Sequence, residues 1–205
     1  MDISSGIFGT MFMISNTLLY PVVIILLGLI AWSFVSAGQF ISEYTSRNRD
    51  VKRLKAGCRD TRAKIENGDL NGAAAVLMDS GSNDLLKKFI KEISEILGAG
   101  NFPVEAEKLL QDYELKIAGE LTQTRLVARV GPMLGLMGTL IPMGPALMGL
   151  SSGNIQQLAA NLVIAFATTV LGLLAGGVAY SILLIKKKWY TQDLSDMEYV
   201  VEVLK

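Results

Sequence analysis

The sequence predicts an all-α integral membrane protein with three transmembrane helices and a helical cytoplasmic base. Three observations lead there. Hydrophobic residues make up 51% of the chain, above the level usual in soluble domains. Asp, Glu, Lys and Arg are absent from residues 3–42 and again from residues 130–185. Finally, all 19 basic residues fall between Arg47 and Arg129 or after Ile185.

A helix needs about 20 residues to cross a hydrocarbon core of roughly 30 Å. The first charge-free window therefore holds one span, placed near residues 16–37. The second is too long for one span and fits two, near residues 129–150 and 158–185. Residues 151–157, Ser-Ser-Gly-Asn-Ile-Gln-Gln, are polar and uncharged and form the tight connection. Three spans put residues 43–128 and the tail on one side. Because basic residues mark the cytoplasmic side, the N-terminus is expected outside and the C-terminus in the cytoplasm of a multi-pass protein of the plasma or inner membrane. Without a basic n-region or an evident cleavage site, the first span reads as a retained anchor.

The predicted segments are four. Residues 1–41 hold a short amphipathic helix at the outer interface and the first span, with Pro21 near its outer end. Residues 42–128 are a cytoplasmic helical region. Within it a charged helix runs from Gln39 through Arg47, Arg49 and on to Lys64, and Asn67-Gly68-Asp69 stops it. Its basic run reads most simply as a solvated face beside lipid headgroups, the alternative being a docking surface for a cytoplasmic partner. An Ala-rich helix over 69–78 and an amphipathic helix over 83–97 follow. Pro103 then opens a helix over 104–129 that runs into the second span; its apolar positions include Tyr113, Ile117, Leu121 and Leu126. Residues 129–185 are the second and third spans. The tail, 186–205, opens on Lys186, Lys187, Lys188, Trp189 and Tyr190, a set of interface anchors. It closes on a short amphipathic helix carrying Leu194, Met197, Val201 and Leu204.

Composition also excludes. Nineteen basic residues balance nineteen acidic ones, so no attraction to nucleic acid is implied. There is no histidine and only one cysteine, Cys58. Cys/His metal sites, internal disulfides and His-based catalytic triads are therefore ruled out, and no phosphate-binding glycine motif occurs. The chain is not expected to be an enzyme or to hold a cofactor.

At 100° per residue, small residues gather on one face of each later span. In the second they are Gly131, Gly135, Gly138, Thr139, Pro142, Pro145, Ala146 and Gly149. In the third they are Asn161, Ala165, Thr168, Thr169, Gly172, Ala175, Gly176 and Ala179, matching the first set at an offset of 30. Small faces let helix backbones approach closely in lipid, so packing within one subunit would by itself explain them. The matched hydroxyls of Thr139 and Thr169, joined by Thr168 and Asn161, also suit a wall around another helix and so an ion pathway. No span carries an Asp or Glu. Intramembrane carboxylates mark ion routes, so an ion crossing here needs its acidic carrier from another chain.

The stretch Gly131-Pro132-Met133-Leu134-Gly135-Leu136-Met137-Gly138-Thr139-Leu140 resembles the P-x-L-G-L-L-G-T signature of the MotA/TolQ/ExbB proton channel family. Ala167-Thr168-Thr169-Val170-Leu171-Gly172-Leu173 is similar to its third-span pattern. The resemblance implies a homopentameric ring around the single-span helices of two partner subunits of MotB/TolR/ExbD type. A partner aspartate would carry H⁺ or Na⁺, with Thr139 and Thr169 facing the pore beside it. Ile164 stands where the ExbB and TolQ branch has a glutamate, as in the motor-stator branch. The function this implies is an ion-driven motor subunit. The alternative from another class is a non-conducting membrane scaffold that organises partner proteins.

Overall fold

The computed structural model describes residues 3–98 and 100–205, with the side chains of residues 3–5 and 8 left aside. Those residues form seven helices: α1 (Ile3–Thr17), α2 (Leu19–Ser46), α3 (Val51–Glu66), α4 (Leu70–Asp79), α5 (Asp84–Glu95), α6 (Phe102–Ser151) and α7 (Ile155–Leu204). Three stretches are long and apolar enough to cross a membrane: Gly9–Ser46, Phe102–Ser151 and Ile155–Leu204. The protein is thus all-α, with three candidate membrane-spanning helices. The chain divides into two units, Met1–Phe40 with Gln123–Leu183, and Ile41–Thr122 with Leu184–Lys205.

In the first unit, α1 gives way to α2 at Leu18. Pro21 has no N–H for the Thr17 carbonyl and its ring crowds that oxygen, which ends one helix and starts the next. Hydrogen bonds of helical spacing still cross the joint, from Leu18 to Ile14 and from Val22 to Leu18. The turn between α6 and α7 is shorter than residues 151–157: only 152–154 lie outside the helices. Gly153 takes φ +75°, a left-handed conformation that suits glycine. The Asn154 side chain then caps α7 by accepting from the Gln157 N–H at 3.0 Å. That cap draws Ile155, Gln156 and Gln157 into the helix. Pro132, Pro142 and Pro145 all lie inside α6.

The second unit is a helical cluster around Leu54, Cys58, Leu77, Leu86, Phe89 and Met197, all fully buried or nearly so. Its elements begin on clear signals. Asp69 caps α4 by accepting from the Gly72 N–H, and Asn83 caps α5 by accepting from Leu86. Gly68, at φ +79°, allows the reversal between α3 and α4.

Two further sequence expectations need correction. The charged helix does not run unbroken through Arg47 and Arg49. Residues 47–50 are irregular, and Asp50 caps a new helix by accepting from the N–H groups of Lys52 and Arg53. The tail is not a separate short helix, because no glycine or proline interrupts residues 178–204 and α7 simply continues to Leu204. Of the apolar positions on α6, Tyr113, Ile117 and Leu121 are buried and Leu126 is 62% exposed. The inward face runs through Tyr113, Ile117, Leu121 and Thr124, and Val127 follows it in phase.

Candidate ion-pathway helices and the charged cluster

The later halves of α6 and α7 meet on their small-residue faces. A Cβ built on Gly135 would lie 3.2 Å from the Gly172 Cα and 3.2 Å from the Thr168 carbonyl oxygen. One on Gly131 would stand 3.0 Å from both the Gly172 oxygen and the Gly176 nitrogen. Gly176 in turn lies under the Pro132 ring, whose Cδ is 2.5 Å from where its Cβ would be. Pro142, Ala146 and Ala165 are buried in the same layer. Lipid supplies no hydrophobic drive between helices, so this backbone-to-backbone approach is what holds the pair. All eight predicted small residues, Gly131, Gly135, Gly138, Pro142, Ala146, Ala165, Gly172 and Gly176, are buried within the one chain.

The hydroxyl and amide groups separate by burial. Thr168 is 4% exposed and sits against Gly138, where a Cβ would come within 2.6 Å of its own. Its hydroxyl donates back to the Ile164 and Ala165 carbonyls. Thr139 and Thr169 are half-buried at the rim of the contact and donate to Leu136 and Ala165 at 2.7 and 3.2 Å. Asn161, also half-buried, donates to the Gln157 carbonyl at 2.9 Å. Each hydroxyl proton, and one of the two Asn161 amide protons, is spent on its own helix, a common fate of such side chains in spans. The acceptor lone pairs of both rim hydroxyls remain open. Around this pair, Leu136, Leu140, Phe166 and Val170 are each more than half exposed, an apolar surface that needs lipid or protein to cover it. From α2, Ser33 is buried and donates to the Ala175 carbonyl at 3.5 Å.

In the second unit the structure brings together groups that sequence reasoning did not select. Arg47 and Arg49, in the irregular link after α2, grip two aspartates one helical turn apart on α7. Arg47 binds Asp193 at 2.6 Å, and Arg49 binds both oxygens of Asp196 at 2.9 and 2.8 Å. Arg47, counted as part of a solvated face, is therefore internal, with only 11% of its side chain exposed, whereas Arg49 keeps a third of its side chain in solvent. Asp193 is fully buried. One of its oxygens accepts from both Arg47 and Asn83, while the other has no hydrogen-bond partner among the described residues. Burial raises its carboxyl above the ordinary range, and Arg47 and Asn83 pull the other way. The hydrogen bond and charge of Asp196 raise Arg49. A signal was present in the sequence: Asp193 precedes Met197 by four residues, on the apolar face of the tail.

The predicted interface anchors divide. Lys187 and Lys188 are exposed. Lys186 is half-buried and pairs with Glu43 at 2.8 Å. Trp189 is half-buried, with the Arg47 guanidinium 5.0 Å from its ring centre. Tyr190 is buried and donates to Glu120 at 2.7 Å. Burial, then that hydrogen bond, raise the phenol. Among the described residues, no group of three His, Cys, Asp or Glu side chains could hold a metal.

Fold and helix pair together define a multi-helix membrane protein whose two later spans are joined through glycine. Residues 79–198, more than half of the chain, match the MotA/TolQ/ExbB proton channel family, and the chain belongs to it. The match takes in α5, α6 and most of α7, including the whole glycine contact. A search of curated proteins gave no match.

Proposed function

We propose that this chain is the ring-forming subunit of an ion-driven motor in the plasma or inner membrane. Its N-terminus lies outside and its C-terminus in the cytoplasm. Five copies surround the single-span helices of two MotB/TolR/ExbD-like partner subunits, and a partner aspartate carries H⁺ or Na⁺ past the ring. Each charge crossing 100 mV releases about 2.3 kcal/mol, which the ring and partner turn into mechanical work. Family membership carries this reading. It is supported by the absence of any charged residue over residues 130–185 and by the two rim threonines. In this arrangement Thr139 and Thr169 offer hydroxyl oxygens to the pathway. Thr168 and the glycines hold α6 against α7 behind them, and Asn161 stands farther along the same face.

The test is ion flux in vesicles containing the chain and its partner, with an imposed potential. Thr139→Val and Thr169→Val keep the shape and remove the hydroxyl, so flux should fall while native mass still shows the assembled ring. Full flux in both variants would remove the pathway assignment. One observation favours the second reading, a non-conducting scaffold: Gly131, Gly135, Gly138, Gly172 and Gly176 of the small-residue stripes are taken up in packing α6 on α7. That reading predicts activity indifferent to membrane potential.

A further inference from the structure

The outward face of α6 in the second unit carries aliphatic side chains that the fold leaves uncovered. Val104 and Leu115 stand eleven residues apart, on one line of the helix, and each is 71% exposed. Tyr113 and Ile117, on the opposite face, are buried. Leu115 precedes the charge-free window 130–185 by about 15 residues, or roughly 22 Å of helix, which is beyond the reach of lipid. Gly119 shares this side, and a Cβ there would meet nothing within 4 Å. No contact inside the chain offsets the roughly 1 kcal/mol that a glycine costs within a helix. The same unit holds a groove of about 440 Å³ between α3 and α4. Small residues line it, among them Ala56, Gly57, Gly72 and Ala75.

Ridge and groove sit at one height. Arg62 of α3 donates to the Val203 carbonyl at 3.1 Å, and Glu107 of α6 pairs with Lys205 at 3.9 Å, so both flank the same end of α7. Their open charges are opposite. Beside the ridge, Glu105 and Glu114 are exposed and make no ion pair among the described residues, while Lys116 lies over the Tyr113 ring. On α3, Lys55 lies over the Tyr199 ring of α7, Arg53 and Lys64 hold Asp79 and Asp69, and Arg62 holds Glu66. Lys52 and Arg59 stay exposed and unpaired among the described residues, against one such acid on the helix, Asp60. A closed ring needs heterologous contacts, in which one face of a copy meets a different face of the next. Copies related by rotation alone also keep their heights. We propose that the α3–α4 groove of one copy receives the α6 ridge of the next, with Leu115 over Ala56 and Ala75 and Glu114 facing Arg59. The proposal rests on the ring of the proposed function and not on ion conduction.

The experiment uses the full chain in membranes, in a Cys58→Ala background. A chain carrying both Ala56→Cys and Leu115→Cys should oxidise to a covalent ladder of copies, whereas either cysteine alone should give no dimer. Glu114→Arg or Arg59→Glu, added to that chain, should each cut the ladder about five-fold, the upper range for an exposed ion pair. The two together should restore it, with the thermal midpoint in detergent unchanged throughout. Dimers from Leu115→Cys alone would overturn the proposal, because the ridge would then meet itself. So would a Leu115→Cys thiol that maleimide labels freely in the ring and that only the partner subunit shields. A five-copy native mass without any ladder would remove this contact and leave the ring standing; a monomeric mass would remove both.

Discussion

Gly172 lies against Gly135 so closely that a Cβ on Gly172 would come within 2.7 Å of the Gly135 Cα. It would also stand 2.6 Å from the Gly131 carbonyl oxygen. Both neighbours are backbone, which cannot rotate aside as a flexible side chain could. Glycine is required here by the distance between helices and not by backbone conformation, since neither residue has a positive φ.

Gly172→Ala should therefore push α7 away from α6 and cost about 1–3 kcal/mol, the usual penalty for overpacking. Gly177, five residues on in the same helix, has nothing within 4 Å of its added Cβ. Gly177→Ala should stay within about 1 kcal/mol of wild type, on the stabilising side. Thermal unfolding in detergent measures both; equal midpoints for the two variants would contradict the helix contact.

Asp193 gives a prediction with a definite sign. Its folded carboxyl titrates above the ordinary value of 3.8, so the folded state binds the proton more tightly than the unfolded chain. The stability it contributes is complete below that ordinary value and is lost as pH rises through the folded pKa. Asp193→Asn should remove this downward slope from stability measured against pH. Arg47→Ala leaves a buried carboxylate without its counter-ion and should cost about 3–5 kcal/mol near neutral pH. Adding Asp193→Asn to Arg47→Ala should restore part of the loss; no recovery in the double variant would show that the pair is not coupled.

Orientation can be read with thiol reagents. Cys58 is fully buried, and burial lifts its thiol to about 11, so at neutral pH it is a protonated, inaccessible thiol. Wild-type protein should resist maleimide until it unfolds. In a Cys58→Ala background, Asn154→Cys should be labelled by an impermeant reagent in intact cells, and Lys205→Cys only after permeabilisation. The reverse pattern would invert the topology.

Much of the helical layout was legible because its signals are local. Asn67-Gly68-Asp69 ends α3, Asp69 and Asn83 open the next helices, and Pro103 stands in the first turn of α6. The break at residues 47–50 was not legible. Its Asp50 cap is an ordinary local signal, but the segment otherwise reads as a continuing charged helix. Arg47 and Arg49 leave helical register while holding aspartates on α7, more than 140 residues away.

By itself the sequence determined where this chain can enter a membrane. Hydrocarbon excludes charge whatever the tertiary arrangement, so residues 3–42 and 130–185 admit few alternatives. It also determined that the later spans carry faces of small residues. Only the tertiary structure decided what those faces touch, placing Gly131, Gly135 and Gly138 against Thr168, Gly172 and Gly176 while leaving Thr139 and Thr169 at the rim. A helix face can be counted along one chain, but its partner is set by which backbones fit within van der Waals distance, and that is a property of the folded pair.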